Sequence, residues 1–295
     1  MSSAVFDELL GQPEAIEQLQ RAALAKATGV HHAWLFTGPA GSGRSLLARS
    51  FAAALQCDSN GCGSCQQCSL VMAGAHPDVL TLATERVVIS IDEVRDLVQK
   101  SAMNSTIGEY RIVIIEDSDR MAERTSNVLL KALEEPQDKT IWILCAPSVS
   151  DLLPTIRSRT RNLLLRLPSV DEVAELLVQR DKVDRELALK SARQAQNHVG
   201  MARRLAISQD ARSRRAETLR EIAGITNLSK AMLAAEKLLG VAKRDAEALA
   251  LERDKSEKER LMLAYGLAVD ERIPPNLRSA FKDLEESQKR RNTRA

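Results

Sequence analysis

The hydrophobic positions along the chain follow two patterns, and the change between them lies near Ser169. Through the first half, short apolar runs alternate with stretches of helical spacing, and these runs cover residues 33–37, 78–82, 111–115 and 140–145. Runs this short and mostly apolar are typical of parallel strands buried on both faces. From Ser169, which has the features of an N-cap, the spacing is helical throughout. The pattern predicts an α/β fold with a parallel sheet, followed by helical segments.

The chain divides further by composition. Predicted helices over 46–55 and 127–135 lie between the strands, and Pro136 ends the second of them. Beyond about Asp210 the sequence becomes charge-rich, and it ends in a basic cluster with no final apolar segment. We therefore expect a helical bundle that continues beyond this chain. The predicted domains are an α/β domain, a small helical domain and a partial helical region, over residues 1–167, 168–210 and 211–295.

The composition limits the kinds of partner that the chain can bind. Among 295 residues, 42 lysines and arginines face 40 aspartates and glutamates, so the net charge of +2 gives no general attraction to nucleic acid. Aromatic residues make up 3%, which leaves few surfaces for stacking unpaired bases. The sequence has no long apolar run and no signal-peptide pattern at its start, so we expect a cytoplasmic protein without a membrane partner.

Four of the five cysteines lie close together, and their spacing is that of a metal site. The sequence reads C-x4-C-x2-C-x2-C, and the four residues are Cys57, Cys62, Cys65 and Cys68. In a reducing compartment this clustering predicts a structural zinc ion, because four thiolates fill a tetrahedral coordination sphere. The alternative is a set of buried cysteines without a ligand. Cys145 stands apart in a predicted strand, where we expect it to pack in the core.

A glycine-rich segment directly after the first predicted strand has the spacing of a phosphate-binding loop. Its chemistry-bearing residues are Gly38, Gly41, Gly43, Arg44 and Ser45. Glycines let backbone N–H groups surround phosphate oxygens, and Ser45 stands where a hydroxyl would bind Mg²⁺. Arg44 replaces the usual lysine, and its planar guanidinium differs in geometry from an ammonium group. Two interpretations stay open: a site for ATP or ADP with Mg²⁺ that hydrolyses poorly, or a loop that serves only as a turn.

The third predicted strand ends in two carboxylates, Glu116 and Asp117. Acidic residues at this place in P-loop proteins hold Mg²⁺ and position the attacking water. Here the usual order of Asp before Glu is inverted, and this exchange moves each carboxylate by about one methylene group. The pair is therefore interpreted either as a degraded metal site or as an acidic N-cap of the next helix.

Several motifs occur together in an order that resembles the clamp-loader branch of the AAA+ proteins. The resemblance spans residues 6–205 and rests on FDELLGQP, HAWLFTGP, the cysteine quartet, NVLLKALEEP and TIRSR. It implies an AAA+ P-loop domain with an inserted zinc module over 57–68. It also identifies the 168–210 domain as a helical lid and the last region as part of a helical collar.

The resemblance also assigns roles to two arginines. In that family a Ser-Arg-Cys motif carries an arginine finger that enters the ATP site of the next subunit. Here the motif reads Ser158-Arg159-Thr160, so the resemblance assigns the finger in trans to Arg159, although the cysteine is absent. Arg203 falls at the family's second sensor arginine and completes the degenerate nucleotide site.

Departures from the family pattern distinguish two kinds of zinc-bearing member. Arg44, the inverted acidic pair and Ala146-Pro147, where a polar sensor is expected, all weaken the chain's own ATP site, whereas Arg159 is retained. The resemblance therefore implies a non-catalytic subunit of the bacterial DNA polymerase III clamp loader. Its implied partners are the gamma/tau and delta subunits and, through the complex, the sliding clamp and primed DNA.

Two other functions compete with this interpretation. The first is an ATP-hydrolysing motor subunit of the gamma/tau kind, in which arginine substitutes adequately for lysine. The second is a zinc-containing DNA-binding adaptor that uses the basic carboxyl-terminal cluster, and it predicts strongly salt-dependent binding. A P-loop nucleoside kinase is disfavoured, because nothing after Asp117 suggests a substrate lid.

Overall fold

The computed structural model describes residues 3–26, 29–84, 86–268 and 271–292. The chain forms two compact units, one of Met1–Pro168 with Glu259–Ala295 and one of Ser169–Lys258. Across the described ranges, no helix combines the length and the apolar character needed to span a membrane. Arg294, part of the basic cluster predicted at the carboxyl terminus, lies outside the described residues.

The first unit is built on a five-stranded sheet in which all pairings are parallel. Its strands are β1 (Ala33–Thr37), β2 (Val79–Leu82), β3 (Arg111–Ile115), β4 (Thr140–Ala146) and β5 (Arg161–Leu164), in the order β2-β3-β4-β1-β5. The four predicted strands are confirmed to within one residue at each end. The prediction missed β5, because this edge strand is largely exposed and its sequence, Arg-Asn-Leu-Leu, does not form a continuous apolar run.

Helices cover both faces of this sheet. They are α1 (Pro13–Leu24), α2 (Arg44–Gln56), α3 (Gln66–Ala73), α4 (Ile91–Ser101), α5 (Glu123–Glu134) and the one-turn α6 (Pro154–Arg157). Alternate strand residues point to opposite faces. Trp34 and Phe36 of β1 pack with Phe51 of α2, and the rings of Trp34 and Phe51 meet edge to face at 5.2 Å. Leu35 belongs to the core on the other face, together with residues of α4 and α5.

The remaining helices belong to the helical part of the chain. They are α7 (Val170–Asp181), α8 (Arg185–Gln194), α9 (Val199–Ile207), α10 (Gln209–Ala223), α11 (Leu228–Ala264) and α12 (Arg278–Asn292). The N-cap predicted at Ser169 is confirmed, since its hydroxyl accepts from the Glu172 N–H and the Glu172 carboxylate accepts from the Ser169 N–H. The division into lid and collar stays a prediction.

A buried carboxylate, Asp78, holds the segment that leads into β3. Its two oxygens accept from the backbone N–H groups of Thr106, Ile107 and Gly108, and Arg111 lies 3.2 Å away. Burial by itself would raise the pKa of Asp78, but the N–H donors outweigh this effect and lower the pKa to about 2. The ionised carboxylate is thus an integral part of the fold.

Replacing Asp78 by asparagine is expected to destabilise the protein by about 3 kcal/mol, because an amide N–H₂ would face backbone donors in a buried site. The depressed pKa fixes the sign of the pH dependence. The ionised form stabilises the fold above the unfolded pKa of about 4, and this contribution is lost as the pH falls toward about 2. Urea unfolding at several pH values measures the difference between the two proteins. Asp92→Asn, at an exposed position, is the control. A difference that does not shrink below about pH 4 would contradict the argument.

Candidate functional site

The four clustered cysteines lie where α2 gives way to α3. Cys57 follows the last residue of α2, Cys65 is the N-cap of α3, and Cys68 lies in its first turn. All four Sγ atoms lie within 4.8 Å of one another, with Cys57 at 3.6 Å from Cys62 and 3.7 Å from Cys65. Zinc–sulfur bonds of about 2.3 Å in a tetrahedron place the sulfurs about 3.8 Å apart. The predicted residues are therefore brought together, and the cluster could hold a metal ion.

Backbone N–H groups around the cluster favour the thiolate form. The N–H of Cys65 points to the sulfur of Cys62 at 3.4 Å, and the N–H groups of Ser64 and Cys65 lower the pKa of Cys62 to about 6. Burial has the opposite effect on Cys68 and raises its pKa. The turn needs glycine at position 61, because φ is +98° and a Cβ there would lie 2.6 Å from the Val5 side chain. Both the backbone conformation of this segment and the positions of its four sulfur atoms are thus suited to a bound metal ion.

The glycine-rich loop joins β1 to α2, as predicted. Gly43 is the N-cap of α2 with φ +90°, and a Cβ on Gly38 would lie 2.7 Å from the carbonyl oxygen of Leu165. Arg44, however, turns back onto its own loop, where its Nη1 donates to the carbonyl oxygen of Gly38 at 2.8 Å. The hydroxyl of Ser42 is buried and has no hydrogen-bond partner among the described residues. The loop retains its shape, and its one cationic side chain is engaged within it.

The carboxylates after β3 are also engaged within the protein. The Glu116 Oε1 lies 2.9 Å from the Arg49 Nη2 on α2, and the Glu116 side chain is 16% exposed. Asp117 has a left-handed backbone with φ +52° and lies 3.7 Å from Arg120. Asp117 occupies the N-cap position of the short helical turn that follows, but its side chain makes no capping hydrogen bond there.

At the end of β4, the segment predicted to lack a polar sensor lies directly beside the loop. The Gly38 N–H donates to the carbonyl oxygens of Ala146 and Pro147 at 3.3 and 3.2 Å. Cys145 is buried, and burial raises its pKa, so it packs as a neutral thiol as predicted. Residues 146 and 147 thus contact the loop only as hydrogen-bond acceptors, through their backbone carbonyl oxygens.

Arg159 lies just past α6, before β5, and it is partly exposed. Its Nη2 is 2.5 Å from the Glu134 Oε1 at the end of α5, and its Nη1 donates to the carbonyl oxygen of Thr155 at 2.7 Å. The side chain is 34% exposed. The guanidinium is therefore oriented by its own subunit and is reachable from solvent.

Arg203 belongs to the second unit, on α9. Its Nε donates at 2.9 Å to the Oδ1 of Asp181, a carboxylate that is only 6% exposed. Arg203 is thus paired inside that unit, and nothing in the first unit is needed to explain its position.

Sequence reasoning missed three side chains that pair with the predicted residues. Arg49, Glu134 and Asp181 neutralise Glu116, Arg159 and Arg203, respectively. Arg49 could have been noticed in the sequence, since it is the only charged residue in the apolar run 46–55. The other two lie on ordinary amphipathic helices, and no local pattern marks them.

Comparison with known proteins relates the first half of the chain to replication proteins. A family model described as DNA polymerase III, delta subunit, matches residues 11–169, more than half of the chain. The DNA polymerase III subunit delta' of Pseudomonas aeruginosa is 39% identical over 152 residues, 50% of this chain and 46% of that protein. The corresponding subunit of Escherichia coli is 34% identical over 137 residues, 44% and 41% of the two chains. The gamma/tau subunit of Mycobacterium bovis is 31% identical over 169 residues, 56% and 29% of the two chains. The matched region thus spans less than half the length of these relatives.

Solved structures share the fold. One point mutant of Thermotoga maritima RuvB superposes with a TM-score of 0.50 and 20% identity, covering 93% of this chain and 89% of that one. A second point mutant of the same protein also has a TM-score of 0.50, with 19% identity and coverage of 90% and 86%. At this identity the likeness concerns the fold alone. It agrees with the predicted α/β fold, with a parallel sheet and a helical carboxyl-terminal part.

Proposed function

Since the chain belongs to the DNA polymerase III delta subunit family, we propose that it is the delta-prime subunit of a bacterial clamp loader and does not hydrolyse ATP. The observation that carries the proposal is the internal pairing of its own nucleotide site. Arg44 donates to the carbonyl oxygen of Gly38 and Glu116 is paired with Arg49, so the groups that would meet a γ-phosphate and Mg²⁺ already have partners within the protein. Nucleotide binding would have to break both interactions, and this cost would offset part of the free energy gained on binding.

In the proposed complex, the chain's contribution to chemistry is Arg159. Its guanidinium would enter the ATP site of a neighbouring motor subunit of the gamma/tau kind and stabilise the charge that develops on the γ-phosphoryl group. The partial exposure of Arg159 and its fixed orientation support this role. The chain would act in the cytoplasm with gamma/tau and delta subunits, and the assembled complex would load the sliding clamp onto primed DNA.

We further propose that the metal ion is zinc and that Cys57, Cys62, Cys65 and Cys68 hold it. Four sulfur ligands leave no open position for water, so the ion would stabilise the segment between α2 and α3 and take no part in catalysis. The sulfur distances and the N–H groups directed at the sulfurs support this assignment.

The purified chain is expected to show no ATP turnover above background with Mg²⁺, because its acidic pair and its loop arginine are engaged internally. Phosphate release measures turnover, and calorimetric titration with ATP or ADP on the same sample measures binding. Arg49→Gln breaks the ion pair with Glu116 and leaves Arg44 in place, so it is also expected to be inactive. Steady turnover that Glu116→Gln abolishes would reject the proposal and would favour a motor subunit of the gamma/tau kind, to which the chain is also similar.

A further inference from the structure

A second group of basic side chains, exposed to solvent, lines an open cavity at the edge of the sheet opposite to the glycine-rich loop. This cavity has a volume of about 210 Å³. Its polar lining comes from three elements: Gln18 and Arg21 of α1, His31 just before β1, and Arg161 at the start of β5. Because the strands are parallel, these residues lie at the amino-terminal ends of β1 and β5, away from the residues of the nucleotide site.

Arg161 is held in the cavity wall with its donors unused. Its guanidinium carbon lies 5.1 Å from the centroid of the Trp34 ring, which is fully buried directly across from Arg161 in the sheet. Arg21, by contrast, is paired with Glu17. Throughout the part of the chain that the structure describes, Arg161 has neither a carboxylate partner nor a hydrogen-bond acceptor. A stacked guanidinium of this kind is an oriented cation that is free to bind an anion.

His31 is fixed with one ring nitrogen engaged. Its Nδ1 lies 2.8 Å from the carbonyl oxygen of Ala33, its ring stacks on His32 at 4.9 Å, and its own carbonyl oxygen accepts from the Trp34 Nε1. The Ala33 N–H also lies 3.2 Å from this Nδ1, so the Ala33 backbone engages Nδ1, and Nε2 is the ring nitrogen without a hydrogen-bond partner among the described residues. Protonation of the ring would turn His31 into a second cationic donor in the same cavity.

We propose that this cavity binds a phosphate group, as inorganic phosphate or as a phosphate monoester, between Arg161 and His31. The donors come from three separate elements, and the Gln18 amide is the third. Such a set suits a tetrahedral oxyanion, whose acceptor oxygens point in several directions, better than a planar carboxylate, whose acceptor sites lie in one plane. Arg21 is balanced by Glu17, so the net positive charge of the cavity comes from Arg161.

Binding is expected to be linked to protonation of His31. In the free protein, burial and the nearby His32 and Arg161 lower the pKa of His31, and the hydrogen bond to Ala33 opposes them. The other charged side chain that lines the cavity is Arg21 of α1, which is paired with Glu17. A phosphate dianion would raise the pKa of His31, so the dianion should bind the protonated ring more tightly than the neutral ring.

The test follows the His31 ring resonances of the full chain by NMR during titration with inorganic phosphate and, separately, with adenosine monophosphate at about pH 6. We expect a saturable shift of the His31 signals and a rise in their pKa. Calorimetry of Arg161→Gln and His31→Gln should show affinity about tenfold weaker. Arg161→Lys, which keeps the charge and loses the planar fork, should be intermediate. Arg95→Gln, at an exposed position on α4, is the matched control and should bind normally.

The possible outcomes show which phosphate compound binds, and they also show whether the proposal fails. Shifts with both probes mean that the phosphate alone is recognised, and a shift with adenosine monophosphate only means that the monoester is the ligand. No saturable shift with either probe would overturn the proposal. It would also be overturned if affinity were unchanged in Arg161→Lys and lost in Arg44→Gln, since the anion would then belong to the glycine-rich loop.

Discussion

Replacing Arg159 by alanine is expected to lower ATP hydrolysis at the neighbouring motor site by about a thousandfold, while the ATP affinity of that site changes little. The physical reason is that a guanidinium supplied in trans neutralises charge that develops only in the transition state, and such fingers contribute factors of about 10³ to 10⁵ to kcat. The measurement is single-turnover hydrolysis in a complex assembled from this chain and ATP-hydrolysing clamp-loader subunits, with ATP affinity determined on the same samples.

Arg157→Ala is the matched control, since Arg157 lies two residues away at the end of α6 and is likewise half-buried. Arg159→Lys should recover only part of the rate, because a single ammonium group cannot reproduce the two-pronged donor geometry. Glu134→Gln removes the ion pair that orients Arg159 and is expected to have a smaller effect than loss of the arginine itself. If the two variants Arg159→Ala and Arg157→Ala hydrolyse ATP at equal rates, Arg159 is not the arginine finger.

Loss of one cysteine of the quartet is expected to abolish metal binding and to unfold the segment between α2 and α3. Cys68→Ser replaces the buried sulfur of a proposed ligand with a hydroxyl, which is a poor ligand for zinc, and three remaining sulfurs would leave the coordination sphere open. Structural zinc contributes about 10 to 16 kcal/mol to the folding of small zinc modules, so the effect on this segment should be large. Metal content is measured by mass spectrometry of the purified chain, and stability by thermal unfolding.

Cys145→Ala is the control for the loss of a cysteine as such, because Cys145 is buried in β4 and lies outside the cluster. We expect about one zinc per chain in the natural sequence and in Cys145→Ala, and none in Cys68→Ser. A strong chelator should reproduce the Cys68→Ser result in the natural sequence and leave the variant unchanged. Full metal content in Cys68→Ser would show that this residue is not a ligand.

The elements that follow from local pattern were predicted well. Strands β1, β3 and β4 are apolar apart from one terminal residue each, because a central parallel strand is covered by helices on both faces. The same reasoning missed β5, whose exposed edge carries Arg161 and Asn162 and so resembles a loop in sequence. The cysteine quartet was also predicted, because its ligands lie within one short segment and their spacing alone brings them together.

Which partner each charged side chain takes was decided only by the tertiary structure. The sequence by itself determined that Arg44 replaces a lysine and that Glu116 precedes Asp117. It did not determine that Glu116 pairs with Arg49, 67 positions away, because that contact depends on how α2 packs against the end of β3. The cavity between Arg161 and His31 has the same origin, since only the pairing of β1 with β5 brings them together. Hydrophobic periodicity is a local property of the chain, whereas an ion pair or a cavity requires two distant segments to be fixed in space.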